Sequence, residues 1–345
     1  MTSFKNIALL LISITLTLLV LEGLIRVLDN LKSKSLSKDY SKIYSDERNI
    51  SSYVFGHKEN VSILLSDEKY KFRITTNSMG IREQEDFNQL KDSILFIGDS
   101  VIEGMVNDNE TIDYFFEEIS GITSINLGLG AANTVHEYYY LKEKYRDDWM
   151  SSKAILGICV NDVKQNHYLR AFNEETGNWE LFEYLDKTDQ TSGGEDGGVK
   201  NFNLMDNVKK SRLIMFTYSS IAGLFKDTDN FSAFHLSKNF SEKDLDLTIA
   251  YVNKIKSFLD KKDVKLYVVV FPTRDQILSD NLLNGVQQTL KSRLLSQGIK
   301  VIDVDREIIN VSNQMGINEV WLDNIHPKAS GNKVIANKIY KYLND

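Results

Sequence analysis

Residues 93–100 read Ser-Ile-Leu-Phe-Ile-Gly-Asp-Ser, an apolar run broken by a glycine and closed by two polar residues. A short continuous apolar run bounded by a turn is the pattern of a strand buried on both faces. Downstream, ETIDYFFEEIS (110–120) has the spacing of an amphipathic helix, and SINLGLGA (124–131) is a second strand and loop. The stretch from Thr134 to Tyr145 is helical in spacing, and KAILGICVND (153–162) is a third apolar strand ending in polar residues. The rhythm continues with helix LDLTIAYVNKIKSFLDKK (245–262), strand VKLYVVVFP (264–272), helix NGVQQTLKSRLLSQG (284–298) and strand IKVIDV (299–304). A last helix follows HPKASG (326–331). Strands alternating with helices predict right-handed crossovers and a mainly parallel sheet of about five strands.

Upstream of this run, YKFRITTNSMGIRE (70–83) alternates around Phe72, Ile74 and Thr76 and ends in a turn signal, which predicts a strand and turn. Residues 29–60 are polar and charged and read as a stalk or linker. Residues 7–21 carry no charge, and helical apolar character runs to Leu28, interrupted by Glu22 and Arg26. That predicts a single-pass anchor over residues 1–28 rather than a cleaved leader. Lys5 precedes the segment while Arg26, Lys32, Lys34 and Lys38 follow it, a balance that by itself favours a cytoplasmic domain. Residues 164–246 interrupt the α/β rhythm as an insertion; GGEDGG (193–198) is unsuited to any element interior, and KSRLIMFTYSSIAGLF (210–225) is expected to be a packed helix.

At 345 residues, one large domain remains beyond the anchor and linker, expected over 61–345. A net charge of -7 and a pI near 5.4 argue against a nucleic-acid partner, because phosphate binding needs clustered positive charge. Cys159 is the sole cysteine, so no internal disulfide is available, and its apolar context reads as a buried, inert thiol. His57, His167 and His235 have no spaced partners, so no metal or other cofactor is expected. His136 is read as a surface or helix residue.

In parallel sheets, ligands collect outside the carboxyl ends of strands. Ser100, Gly130 with Ala131, and Asn161 with Asp162 all fall at such ends, while Asp323 and His326 share the loop WLDNIHPKASG (321–331). A serine becomes a nucleophile when a neutral imidazole takes its proton and an acid fixes that imidazole's tautomer. Asp323 and His326, three apart, can turn toward one another. Donors for a developing oxyanion are on offer at the Ser100 N–H, a backbone N–H of Gly130 or Ala131, and the Asn161 amide. The alternative for Ser100, and for Asp99 beside it, is a helix cap.

The ordered set GDS (98–100), NLGLGAANT (126–134), VND (160–162) and DNIHP (323–327) resembles the SGNH/GDSL hydrolase family over roughly residues 93–345. The resemblance implies a flavodoxin-like three-layer α/β/α sandwich, no metal, and ester hydrolysis or acyl transfer through an acyl-serine. It implies Ser100 as nucleophile, Asp323 and His326 as acid and base, and Asn161 in the oxyanion hole. Two departures stand out: Cys159-Val160 replaces the usual lead-in to the asparagine, and Ala131 falls where the second block usually has glycine. LEGLIR (21–26), TNSMGIRE (76–83), FIGDSVIEG (96–104) and NDNETI (107–112) further resemble a membrane-anchored bacterial branch. That branch implies an extracytoplasmic domain and an acetyl-like group on a cell-envelope polysaccharide as substrate. A lipase or lysophospholipase, or a binding protein on a degenerate fold, are the competing expectations.

Overall fold

The computed structural model describes residues 13, 17, 20–24, 41–45, 55–66, 70–87, 90, 92–166, 240–278 and 285–345, with the backbone of 168–173 and 178–183. The chain divides into two compact units. In the first, residues 1–38 with 185–228, only an N-terminal helical stretch is described, its side chains mostly exposed. Among the described residues no helix is long and apolar enough to cross a membrane. The expected anchor over 1–28 lies largely outside them, as do His167, His235 and the insertion helix at 210–225.

The second unit is built on five parallel strands: β5 (Ser93–Gly98), β6 (Thr123–Gly128), β7 (Ser151–Ile158), β10 (Lys265–Val270) and β11 (Lys300–Ile302). Their order across the sheet is β6-β5-β7-β10-β11. All of β5 is buried, and so are the last five residues of β7 and of β10, as continuous apolar runs require. The direction of travel reverses after β6, so right-handed crossovers send helices to opposite faces. On one face α2 (Ile112–Ser120) packs on α10 (Ala329–Asn344), which packs on α8 (Asp305–Met315). On the other, α3 (Thr134–Lys144) packs on α5 (Glu242–Asp260), which meets α7 (Val286–Ser296). This is an α/β sandwich whose switch point lies between β5 and β7. The unforeseen α8 is amphipathic but polar on average; it buries Ile308 and packs on α10.

The linker expectation needs correction. Residues 41–45 and 55–60 belong to the domain: β1 (Tyr44–Ser45) pairs with β2 (Gly56–His57), and Ile43, Tyr44 and Phe55 are core residues. Their polar neighbours obscured three apolar anchors. The predicted strand at 70–83 is β4 (Lys71–Thr75), antiparallel to β3 (Ser62–Ser66). Its turn is closed by Asn77 Oδ1, which accepts the N–H groups of Met79 at 3.0 Å and Ile81 at 3.1 Å. Within the insertion, β8 (Tyr168–Asn173) and β9 (Asn178–Glu183) form a further antiparallel pair.

After β5 the chain turns at once into α1 (Ser100–Glu103), capped by Asp99, whose Oδ1 accepts the Val101 N–H at 2.9 Å. This short helix rests on the end of β6, and a β-carbon at Gly128 would lie 2.1 Å from the Glu103 backbone nitrogen. Only glycine lets the two backbones approach this closely. Asn126 completes the contact by donating to the Ile102 carbonyl at 3.0 Å and accepting the Gly128 N–H at 2.8 Å. Gly128→Ala is therefore expected to lower unfolding stability by ~1–3 kcal/mol through overpacking, measured by urea denaturation.

Candidate active site

Ser100 opens α1 at the carboxyl end of β5, so its side chain projects from the crest of the sheet at the switch point. Ser100 Oγ lies 2.8 Å from His326 Nε2, and His326 Nδ1 lies 2.8 Å from Asp323 Oδ2. The histidine arrives from the loop before α10, 226 positions away in sequence. That loop is folded by Asp323 itself, whose Oδ1 accepts the N–H groups of Ile325 and His326, each at 2.8 Å. Pro327 then pairs with Trp321 in an isolated bridge, pinning the loop's other end.

The electrostatics follow from this geometry. Burial pushes the Asp323 carboxyl up, but the hydrogen bond and charge of His326 and the two N–H groups outweigh it. Asp323 is thus held well below the usual carboxylate range. Burial pushes His326 down, yet the Asp323 hydrogen bond and charge, with Asp99 and Glu103 behind them, hold its imidazole above its ordinary value. Both side chains stay partly open to solvent, at 14% and 24% exposure for His326 and Asp323, so a ligand can reach them.

Asn161 sits in the first turn of α4 (Val160–Gln165) after β7, and its Nδ2 donates to Asp99 Oδ2 at 3.3 Å. Asp162 caps the same turn by accepting the Cys159 N–H at 2.8 Å. Burial, with the charges of Asp99 and Asp162, pushes the Cys159 thiol well up, as expected for an inert thiol. The two glycine-turn candidates separate. Gly130 N–H donates to the Glu103 carboxylate and so helps hold a buried charge. Ala131 takes φ +62°, the left-handed region where glycine would be unstrained.

Other members escaped sequence reading. Glu103 is 4% exposed; its Oε1 accepts the Tyr44 hydroxyl at 2.8 Å and lies 2.6 Å from His57 Nε2. His57, which seemed partnerless in sequence, therefore has a carboxylate partner 46 positions away. Burial would raise Glu103, but His57, Gly130 and Arg82 keep it below its ordinary value. Arg82 donates to the carbonyls of Glu103 and Gly104, and to that of Val106 at 2.6 Å, clamping the loop after α1. Tyr70 Oη donates to Asp323 Oδ2 at 2.8 Å. His136 lies in α3, the helix alternative of the two expected, but is wholly buried, with Nδ1 2.9 Å from Asn133 Oδ1. Next to it Glu137 is 1% exposed with neither carboxylate oxygen hydrogen-bonded, and burial, reinforced by the Asp99 charge, pushes it well up. Tyr70, Arg82 and Glu103 lay within quoted stretches but had no partner at a local spacing, and Tyr44, His57 and Glu137 lay outside every motif. Among the described residues no His, Cys, Asp and Glu cluster could hold a metal ion.

No family model matches the chain. No curated protein matches it either. Among solved structures it is similar to a member of the lipolytic protein G-D-S-L family from Veillonella parvula, at 14% identity and TM-score 0.41 over 73% of this chain and 98% of that one. It is similar also to a GDSL-like lipase from Bacteroides thetaiotaomicron, at 10% identity and TM-score 0.38 over 73% and 87%. A third is the lipase/acylhydrolase from Enterococcus faecalis, at 10% identity and TM-score 0.40 over 73% and 95%.

Because the folded Glu137 carboxyl holds its proton more tightly than the unfolded one, its contribution to stability is complete below the unfolded pKa of ~4.3 and lost as pH rises. Asp113, pushed by burial to about 6, acts in the same direction. Glu137→Gln should therefore shrink, without abolishing, the fall in Tm between acidic and alkaline buffer, by ~2–4 °C for each kcal/mol of charging cost removed; differential scanning calorimetry reads it.

Proposed function

We propose that this chain is an SGNH/GDSL-type serine hydrolase that works through an acyl-serine. The observation carrying this reading is the continuous hydrogen-bonded chain from Ser100 Oγ through the His326 ring to Asp323. His326 Nε2 takes the hydroxyl proton as Ser100 Oγ bonds to an ester carbonyl carbon. The imidazolium so formed is stabilised by Asp323 through Nδ1–H. Negative charge on the carbonyl oxygen is met by the Ser100 N–H, the Ala131 N–H and the Asn161 amide. Collapse of the tetrahedral adduct breaks the ester C–O bond, and His326 returns the proton to the departing alkoxide. A second nucleophile, water or a sugar hydroxyl, then gives its proton to His326 and takes the acyl group.

For the substrate we propose a short, acetyl-like ester on a cell-envelope carbohydrate, with the domain outside the cytoplasm and tethered by residues 1–28. The uncharged run at 7–21 and the family resemblance support the tether and its side. The mechanism itself is indifferent to the acceptor.

Ser100→Ala should cut p-nitrophenyl acetate hydrolysis by the full-length chain ~10³-fold or more, and Asn161→Ala ~10²-fold; unchanged rates for Ser100→Ala would defeat the proposal. The base must be neutral to accept a proton, so raising its pKa moves the loss of activity to higher pH. The acid limb of kcat/KM should accordingly have its midpoint above the ordinary histidine value of ~6.5.

A further inference from the structure

Tyr70 stands outside the five-stranded sheet, immediately before β4, yet its hydroxyl reaches Asp323 across 253 positions of sequence. The oxygen it meets, Oδ2, is the one that faces His326 Nδ1, while Oδ1 is occupied by the Ile325 and His326 N–H groups. Four donors on two oxygens fill the acceptor sites of the carboxylate and hold its orientation. We propose that Tyr70 is a positioning residue of the hydrolytic site, acting through Asp323 to fix the orientation and tune the basicity of His326. This rests on the serine-hydrolase reading above and adds to it a side chain from outside the α/β sheet.

A phenol donating to Oδ2 spreads the carboxylate charge, so less of it is presented to the imidazole. Without that donor, Asp323 holds the imidazolium more strongly and the base titrates at higher pH. The carboxylate is also less fixed, and the imidazole it orients is less often aligned on Ser100. The other charges facing His326 are those of Asp99 at the end of β5 and Glu103 in α1, with Asp323 on its own loop. The substitution Tyr70→Phe leaves all three in place. It also keeps the ring, which packs against the main core.

The test uses full-length wild type, Tyr70→Phe and Ser100→Ala, with fluorophosphonate labelling and p-nitrophenyl acetate kinetics between about pH 5 and 9, where histidine titrates. For Tyr70→Phe we expect the plateau of kcat/KM to fall about tenfold, the low end for a lost hydrogen bond to a charged group. KM should be little changed and the acid limb should move to higher pH. A ring-fluorinated tyrosine at position 70, a stronger donor of the same shape, should move the limb the opposite way; this arm stands even where Tyr70→Phe folds poorly. A folded Tyr70→Phe protein with an unchanged acid limb overturns the inference, whether or not its plateau falls. So does an unshifted limb in the fluorinated protein. Wild type that neither labels nor hydrolyses, or an active Ser100→Ala, overturns the hydrolase reading and this inference with it, whereas unmoved Tyr70 proteins beside an inactive Ser100→Ala overturn this inference alone.

Discussion

A buried carboxylate three residues beyond Ser100 is the constraint around which the carboxyl end of this sheet is arranged. An ionised Glu103 in the interior is untenable without partners, since desolvation alone would force it neutral. Its partners come from Tyr44 and His57 on the β1–β2 pair, from Gly130 in the turn after β6, and from the nearby Arg82. Each requirement has a structural consequence. The N-terminal segment must fold over the sheet end, and the β6 turn must aim one amide inward. The short helix bearing Ser100 is thereby held at both ends, by Asp99 at its start and by this network at its finish.

That dependence explains what could and could not be read in the sequence. The five strands were legible because burial on both faces leaves continuous apolar runs, and the residues at their ends were legible because such runs stop abruptly at polar groups. Ser100, Asp323 and His326 could be paired by their chemistry together with the family resemblance of four ordered blocks. The partners of Glu103 could not: Tyr44 and His57 lie in polar stretches with no periodicity, and their meaning arises only when the chain returns 46 to 59 positions later. Tyr70 is the same case at longer range. The segment at 41–60 read as a linker because composition averages over a window, whereas Ile43, Tyr44 and Phe55 act singly.

The ambiguity between Gly130 and Ala131 had a similar origin. Sequence shows a glycine beside an alanine, with the alanine where the resembling family usually has glycine, and leaves the N–H donor open between them. In the structure the left-handed φ belongs to Ala131, while Gly130 is needed because a β-carbon there would lie 2.2 Å from the Tyr44 hydroxyl and 2.7 Å from the Glu103 carboxylate. Glycine was selected for proximity to a charge network, not for its torsion.

In the proposed reaction the nucleophile is a serine and not the cysteine for an electrostatic reason. Cys159 and Ser100 occupy equivalent places, each just past a central strand at the switch point, and a free thiol is intrinsically the better nucleophile. A thiolate at 159, however, would be an anion buried beside Asp99 and Asp162, and all three effects keep the thiol protonated. Ser100 instead has a base at 2.8 Å whose cationic form is stabilised by Asp323, Asp99 and Glu103. The local charge is negative on both sides of the crevice. Such a field suppresses a nucleophile that must itself become anionic in isolation. It favours one that sheds its proton to a neighbouring imidazole, because the imidazolium it creates is a counter-ion to Asp323, Asp99 and Glu103.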